Sequence, residues 1–206
     1  MGNDTVDSPE FWEGRYRDGR TAWDIGCPAP PLQEWLGAKA HVPHHRGRAL
    51  VLGCGRGHDA IALAAAGYEV VAVDFAASAI EAVRERASRL VLDVRCIERD
   101  AFELGPEFDR SFDLVFEHTF LSALRPQRRR EYVALVARLT EPGGLLLGIF
   151  FTGHDPEGPP FGISPDELRK LLEADFDEIA LVPVPAFQQG PLGHEHLGQF
   201  RRRQAE

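Results

Sequence analysis

Cysteine is scarce in this chain: Cys27, Cys54 and Cys96 are the only three in 206 residues. An odd number at wide spacing excludes a disulfide framework and a zinc-ligand pattern, and it suits a reducing compartment. No apolar run approaches the ~20 residues that a membrane-crossing helix needs. The N-terminus, MGNDTVDSPEFW, lacks the basic and apolar regions of a secretory signal. The expected location is therefore the cytoplasm. A basic excess is missing too: 23 Lys and Arg face 32 Asp and Glu, for a net charge of −9. Such a chain repels phosphate backbones, so neither nucleic acid nor a membrane is an expected partner. The short basic runs at 128–130 and 201–203 read as solvated helix faces or strand ends. Repeats, low-complexity segments and an apolar interface stripe are all lacking, and a monomer is expected.

What is present reads as a folded domain. Hydrophobic residues make up 44% of the chain and charged residues 27%, both ordinary for globular proteins. Residues 1–45 form an aromatic arm or lid with Trp12, Tyr16, Trp23 and Trp35, several prolines, and His41, His44 and His45. From 46 to 206 the pattern is regular and reads as the ligand-binding domain. ALVLG (49–53), EVVAVD (69–74), DVRCIERD (93–100), FDLVFEH (112–118) and LLLGIFF (145–151) are strand-like runs. Helical stretches at 58–67, 78–90, 126–139 and 164–175 separate them, with Ser78 and Ser164 as candidate caps. Two further strands, DEIALVPV and HLGQFRRR, follow with no helix between them. The fold class is α/β: a doubly wound, mostly parallel seven-stranded sheet with one antiparallel strand. Its ligand belongs at the carboxyl ends of the strands, near the switch in strand order.

Three features fall at such ends. Gly53-Cys54-Gly55-Arg56-Gly57 joins the first strand to a helix, and its glycines permit a tight turn and close backbone approach to a ligand. The spacing differs from the dinucleotide fingerprint, and a ligand-free turn is the alternative. Asp74 ends the second strand, where an acid accepts bonds from the two hydroxyls of a ribose. It is otherwise a helix cap or a solvated strand end. Asp100 ends the third strand before Ala101 and Phe102, and suits an adenine amino group with an apolar cover over the ring. Alone it reads as a surface acid. Leu52 and Phe75, next to Gly53 and Asp74, complete the candidate ligand contacts.

Together these residues resemble class I S-adenosylmethionine-dependent methyltransferases. FWEGRYRDGRTAWDIGCPAPPL (11–32), VLGCGRGHDAIALAAAGYEVVAVD (51–74), FDLVFEHTFLSAL (112–124), EPGGLLL (141–147) and GPPFGISPDEL (158–168) narrow the resemblance to the thiopurine, thiol and halide methyltransferase family. It covers residues 10–176. The arm and the GPPF segment are more specific than the glycine loop.

The resemblance implies a Rossmann-like methyltransferase fold, S-adenosyl-L-methionine as cofactor, and a small-molecule methyl acceptor. It places Trp12, Tyr16 and Trp23 over the donor, Gly53 and Gly55 at its methionine part, Asp74 at the ribose, and Asp100 with Ala101 at the adenine. Glu117 matches a position that is usually acidic in the family. His118 stands where relatives often have Tyr, which leaves the acceptor open.

Methyl transfer from a sulfonium to sulfur or halide is an in-line displacement that needs positioning and exclusion of water more than a strong base. His118 is the candidate proton acceptor, or else a structural histidine. Phe120 and Phe161 line the acceptor pocket or belong to the core. Trp12 and Trp23 either face the sulfonium or pack the arm. The histidine groups at 41–45 and 194–196 lack a matched partner set, and no metal is expected. Oxygen or nitrogen methylation, non-catalytic binding of the donor, and nicotinamide chemistry are the competing readings.

Overall fold

The computed structural model describes residues 5–38, 47–153, 157–191 and 193–204. Seven strands form one sheet: β1 (Arg48–Leu52), β2 (Glu69–Asp74), β3 (Val94–Glu98), β4 (Phe112–His118), β5 (Thr140–Phe151), β6 (Phe176–Pro183) and β7 (Glu195–Arg202). Their order is β3-β2-β1-β4-β5-β7-β6. β7 runs antiparallel to both neighbours and the remaining pairs are parallel, as expected from the absence of a helix before it.

Helices cover both faces. They are α1 (Pro9–Arg17), α2 (Pro30–Gly37), α3 (His58–Ala65), α4 (Ala77–Leu90), α5 (Phe120–Ala123), α6 (Arg129–Leu139) and α7 (Pro165–Leu172). Strand alternation divides β1 between two cores. Leu50 and Leu52 face the α6 and α7 layer, while Ala49 and Val51 face Leu32 and Trp35 of α2 and Ala60 and Leu63 of α3. Burial of both faces explains the near-continuous apolar strands. The α2 segment, inside the aromatic arm of the sequence, thus packs in a core layer. The arm–domain boundary near residue 45, with His41, His44 and His45, lies outside the described residues.

Local chemistry accounts for most ends. Ser164 and Glu167 form a reciprocal capping box at α7, with Pro165 at the first helical position. The expected Ser78 cap does not form. Ala76 occupies the cap position of α4, and Ser78 instead donates its N–H, at 3.1 Å, and its hydroxyl to Glu13 of α1. β5 begins at Thr140, so Glu141-Pro142-Gly143-Gly144, a turn by composition, lies within the strand. Its pairing with β4 shifts register between Phe112 and Leu114.

Candidate active site

The carboxyl ends of β1 to β4 converge where the strand order reverses around β1, and a cavity opens there. Gly53, Asp74, Asp100 and His118 line it from four successive strand ends, and Trp12, Tyr16 and Trp23 line it from the arm. Phe75, Ala101, Phe102 and Phe120 complete the expected residues that reach it. Leu52, Gly55, Glu117 and Phe161 are not on its wall.

The glycine loop is shaped by its neighbours. Gly53 has φ +55°, and a Cβ there would lie 2.5 Å from Cδ2 of Phe120, so both backbone and space require glycine. Gly55 donates its N–H to Oδ2 of Asp74 at 2.9 Å, while Ala76 donates to Oδ1 at 3.0 Å. Asp74 is buried, with 9% of the residue exposed, and burial pushes its pKa up to about 6 against these backbone bonds. A third backbone N–H, of Phe75, also favours the charged form of this carboxylate. Oδ1 of Asp100 accepts the N–H of Phe102 at 3.0 Å, which leaves the second oxygen for a ligand.

The arm closes over this wall through aromatic and polar contacts. Trp23 meets Trp12 edge-on at 5.3 Å and Tyr16 at 5.8 Å. Asp24 bridges to Arg56 of the glycine loop at 3.4 Å and to His58, directly beyond the loop, at 3.2 Å. Burial, with the nearby Asp74 and Cys54, pushes the Tyr16 phenol well above its usual range.

His118 closes β4. Its Nδ1 lies 3.1 Å from Oδ2 of Asp59 in the first turn of α3. Burial lowers the imidazole pKa, but the Asp59 bond and charge, then Glu195 and Glu117, outweigh it and raise it overall. Thr119 follows with φ +58°, a rare conformation for a β-branched residue, on the cavity wall. Glu117, fully buried, points its carboxyl at the start of α5, where Oε2 accepts the N–H of Phe120 at 2.5 Å and of Leu121 at 3.3 Å. Phe161 packs against Gly158 behind the wall, and Leu52 belongs to the core.

Several wall residues carried no signal in the sequence. Arg15 and Arg99 look like ordinary surface cations there, and Asp59, which meets the wall only through His118, looks like a helix-start acid. Arg128, from a run read as solvated, lies over the Phe102 ring at 4.0 Å and pairs with Glu131 at 3.0 Å. Arg130 of that run is exposed. Arg202, from the second run, bonds the carbonyls of Ala137 and Asp175. His196 meets the Thr152 hydroxyl at 2.8 Å, and among the described residues no cluster is arranged to hold a metal. No helix among them is long and apolar enough to cross a membrane.

The wall thus offers acceptor oxygens at two strand ends, a bare backbone at a third, aromatic cover, and an imidazole at the fourth. The family model for thiopurine S-methyltransferase (TPMT) matches residues 7–192. The chain is 32% identical over 195 residues to a probable thiol methyltransferase 2 of Arabidopsis thaliana, spanning 93% of this chain and 84% of that protein. It is 31% identical over 196 residues to thiocyanate methyltransferase 1 of Brassica oleracea, with coverages of 93% and 84%. The structure of 1,6-didemethyltoxoflavin-N1-methyltransferase from Burkholderia thailandensis, bound to 1,6-didemethyltoxoflavin and S-adenosylhomocysteine, shares the fold. Its TM-score is 0.76 at 24% identity, over 95% of this chain and 87% of that one.

Proposed function

Because the chain belongs to the thiopurine S-methyltransferase family and is an S-adenosylmethionine-dependent methyltransferase, we propose that it methylates a small soft nucleophile, a thiol, thiopurine or halide, by in-line displacement. The observation that carries this reading is the convergence of Asp74, Asp100, the Trp12–Tyr16–Trp23 cover and His118 on one cavity. The names of the matched relatives, which act on thiols and thiocyanate, support the acceptor class.

The wall suits the cofactor. The Asp74 carboxylate stands on the wall where ribose hydroxyls can donate to it, and the second oxygen of Asp100 matches an adenine amino group. Ala101 and Phe102 supply the backbone and apolar cover beside it. Gly53 leaves room at the methionine part, and Gly55 fastens the loop to Asp74. Trp12, Tyr16 and Trp23, with Phe75, cover the donor and exclude water; aromatic faces near a sulfonium contribute about 0.5–2 kcal/mol. Leu52, Glu117 and Phe161 support this wall from behind. When bound, S-adenosylmethionine supplies a methyl group already activated for displacement.

Phe120 gives the acceptor an apolar surface, and His118 takes its proton where it has one. The protein is read as a cytoplasmic monomer acting on a small molecule, with no nucleic-acid or membrane partner. Three free cysteines and the acidic charge support that reading.

The test is formation of S-adenosylhomocysteine across a panel of thiols, thiopurines, iodide, bromide, catechols and amines. Turnover confined to hydroxyl or amine acceptors, or cofactor binding with no turnover at all, would refute the soft-nucleophile reading.

A further inference from the structure

Asp59 joins three segments that are far apart in sequence. Its Oδ1 accepts the backbone N–H of Ala29 at 2.7 Å, and its Oδ2 lies 3.1 Å from Nδ1 of His118. Both side chains are sheltered, 14% and 18% exposed. A carboxylate only accepts hydrogen bonds, so the proton in this contact sits on Nδ1. The neutral ring is thereby held as the tautomer whose Nε2 is bare. Nε2 has no hydrogen-bond partner among the described residues, and His118 lines the cavity beside Thr119 and Phe120. The Ala29 bond fixes the acid as the acid fixes the ring.

We propose that Asp59 is a positioning residue that holds Nε2 of His118 ready to take a proton, so that the preferred acceptor is a neutral thiol rather than a permanent anion such as a halide or thiocyanate. The proposal rests on the methyltransferase reading above. Nε2 takes the S–H proton, and the electron pair that held it becomes available for the new sulfur–carbon bond. The imidazolium so formed is balanced by Asp59 and returns its proton to water. The net products are a methyl thioether, S-adenosylhomocysteine and one proton. The charged groups facing His118 are Asp59 from α3, Glu195 from β7 and Glu117 from its own strand. All three are acids; Asp59 and Glu195 favour the imidazolium, and Glu117 does so only once it is ionised.

Asp59→Asn is the informative variant. Its amide oxygen still accepts from Ala29, but its NH₂ donates to Nδ1 and moves the ring proton to Nε2. Nitrogen-15 NMR of the His118 ring, taken above its titration, should show Nδ1 protonated in the wild type and Nε2 protonated in the variant. Methylation of a thiol should fall about 10²–10⁴-fold in kcat/KM, while methylation of thiocyanate changes less than about threefold. Equal losses on both acceptors, or an unchanged tautomer, overturn the proposal.

If the variant does not fold, the wild-type pH profile decides. The rising limb of kcat/KM should fall at the same pH for two thiols of different pKa, because His118 sets it. A limb that moves with each thiol's own pKa overturns the proposal. A wild type that binds S-adenosylhomocysteine but methylates neither thiol nor thiocyanate sinks the acceptor class in both readings, whereas the tautomer result still tests the Asp59–His118 pair by itself.

Discussion

The backbone N–H of Gly55 donates to Oδ2 of Asp74 at 2.9 Å, fastening the glycine loop after β1 to the acid that ends β2. One side chain therefore shapes the loop and lines the cavity. Removing it should loosen the loop and the ribose contacts together.

Asp74→Ala is expected to weaken S-adenosylhomocysteine binding by about 10–100-fold, since hydrogen bonds to a charged group contribute ~1.5–3 kcal/mol. Isothermal titration calorimetry measures this directly. The same experiment has a pH signature. Burial pushes the Asp74 carboxyl up to about 6, and ribose hydroxyls donate best to the ionised form. Wild-type affinity should therefore decline as pH falls from 7 to 5, and the Asp74→Ala variant should lose that slope.

Gly53→Ala places a methyl group 2.5 Å from the Phe120 ring at a backbone φ of +55°. The combined clash and strain should cost about 1–3 kcal/mol, read by urea unfolding. Adding Phe120→Ala should recover the steric part only. Full recovery would mean that the backbone conformation carries no cost.

Glu117 sets a pH dependence of stability. Its Oε1 is buried with no hydrogen-bond partner among the described residues, as is the Tyr132 hydroxyl, and burial raises the carboxyl from 4.5 to about 8. The folded state holds this proton more tightly than the unfolded chain. Its contribution is thus fully present below about 4.5 and is lost as pH rises through about 8. Within that window the loss is about 1.4 kcal/mol per pH unit. Glu117→Gln, which cannot ionise, should gain on the wild type steadily between about pH 5 and pH 8 in urea unfolding, and level off above that. Parallel curves would rule out a neutral carboxyl at this position.

The arm is held by Glu13 on Ser78 and by Asp24 on Arg56 and His58. Replacing Glu13 and Asp24 together with Ala should speed tryptic cleavage at Arg15, Arg17 and Arg20. It should also weaken S-adenosylhomocysteine binding roughly tenfold, while the stability of the remainder changes by only about 1 kcal/mol, because partly exposed ion pairs contribute little. Unchanged cleavage would show that aromatic packing alone secures the arm.

The parts that were legible in the sequence are those with local causes. Strand and helix periodicity predicts all seven strands, and the glycine loop and its acids fall at strand ends because strand, turn and helix follow one another in the chain. Four-residue α5 is too short for periodicity to reveal. Ser78 has the composition of a cap, but an oxygen from Glu13 competes for it across 65 residues. Asp59 is invisible for a related reason. An acid in a first helical turn is what the helix dipole favours anywhere.

The sequence by itself determined the sheet, the glycine loop and the family, since these rest on spacing along the chain and on which residues are apolar. Only the tertiary structure decided the details of the site. Closing β1, β2, β3 and β4 into one parallel edge brings Asp59 to His118, sends the Glu117 carboxyl beneath the wall rather than onto it, and lays Arg128 over Phe102. Hydrogen-bond partnership and burial are properties of distance in space, and residues 59 apart in the chain acquire them only when the sheet has formed.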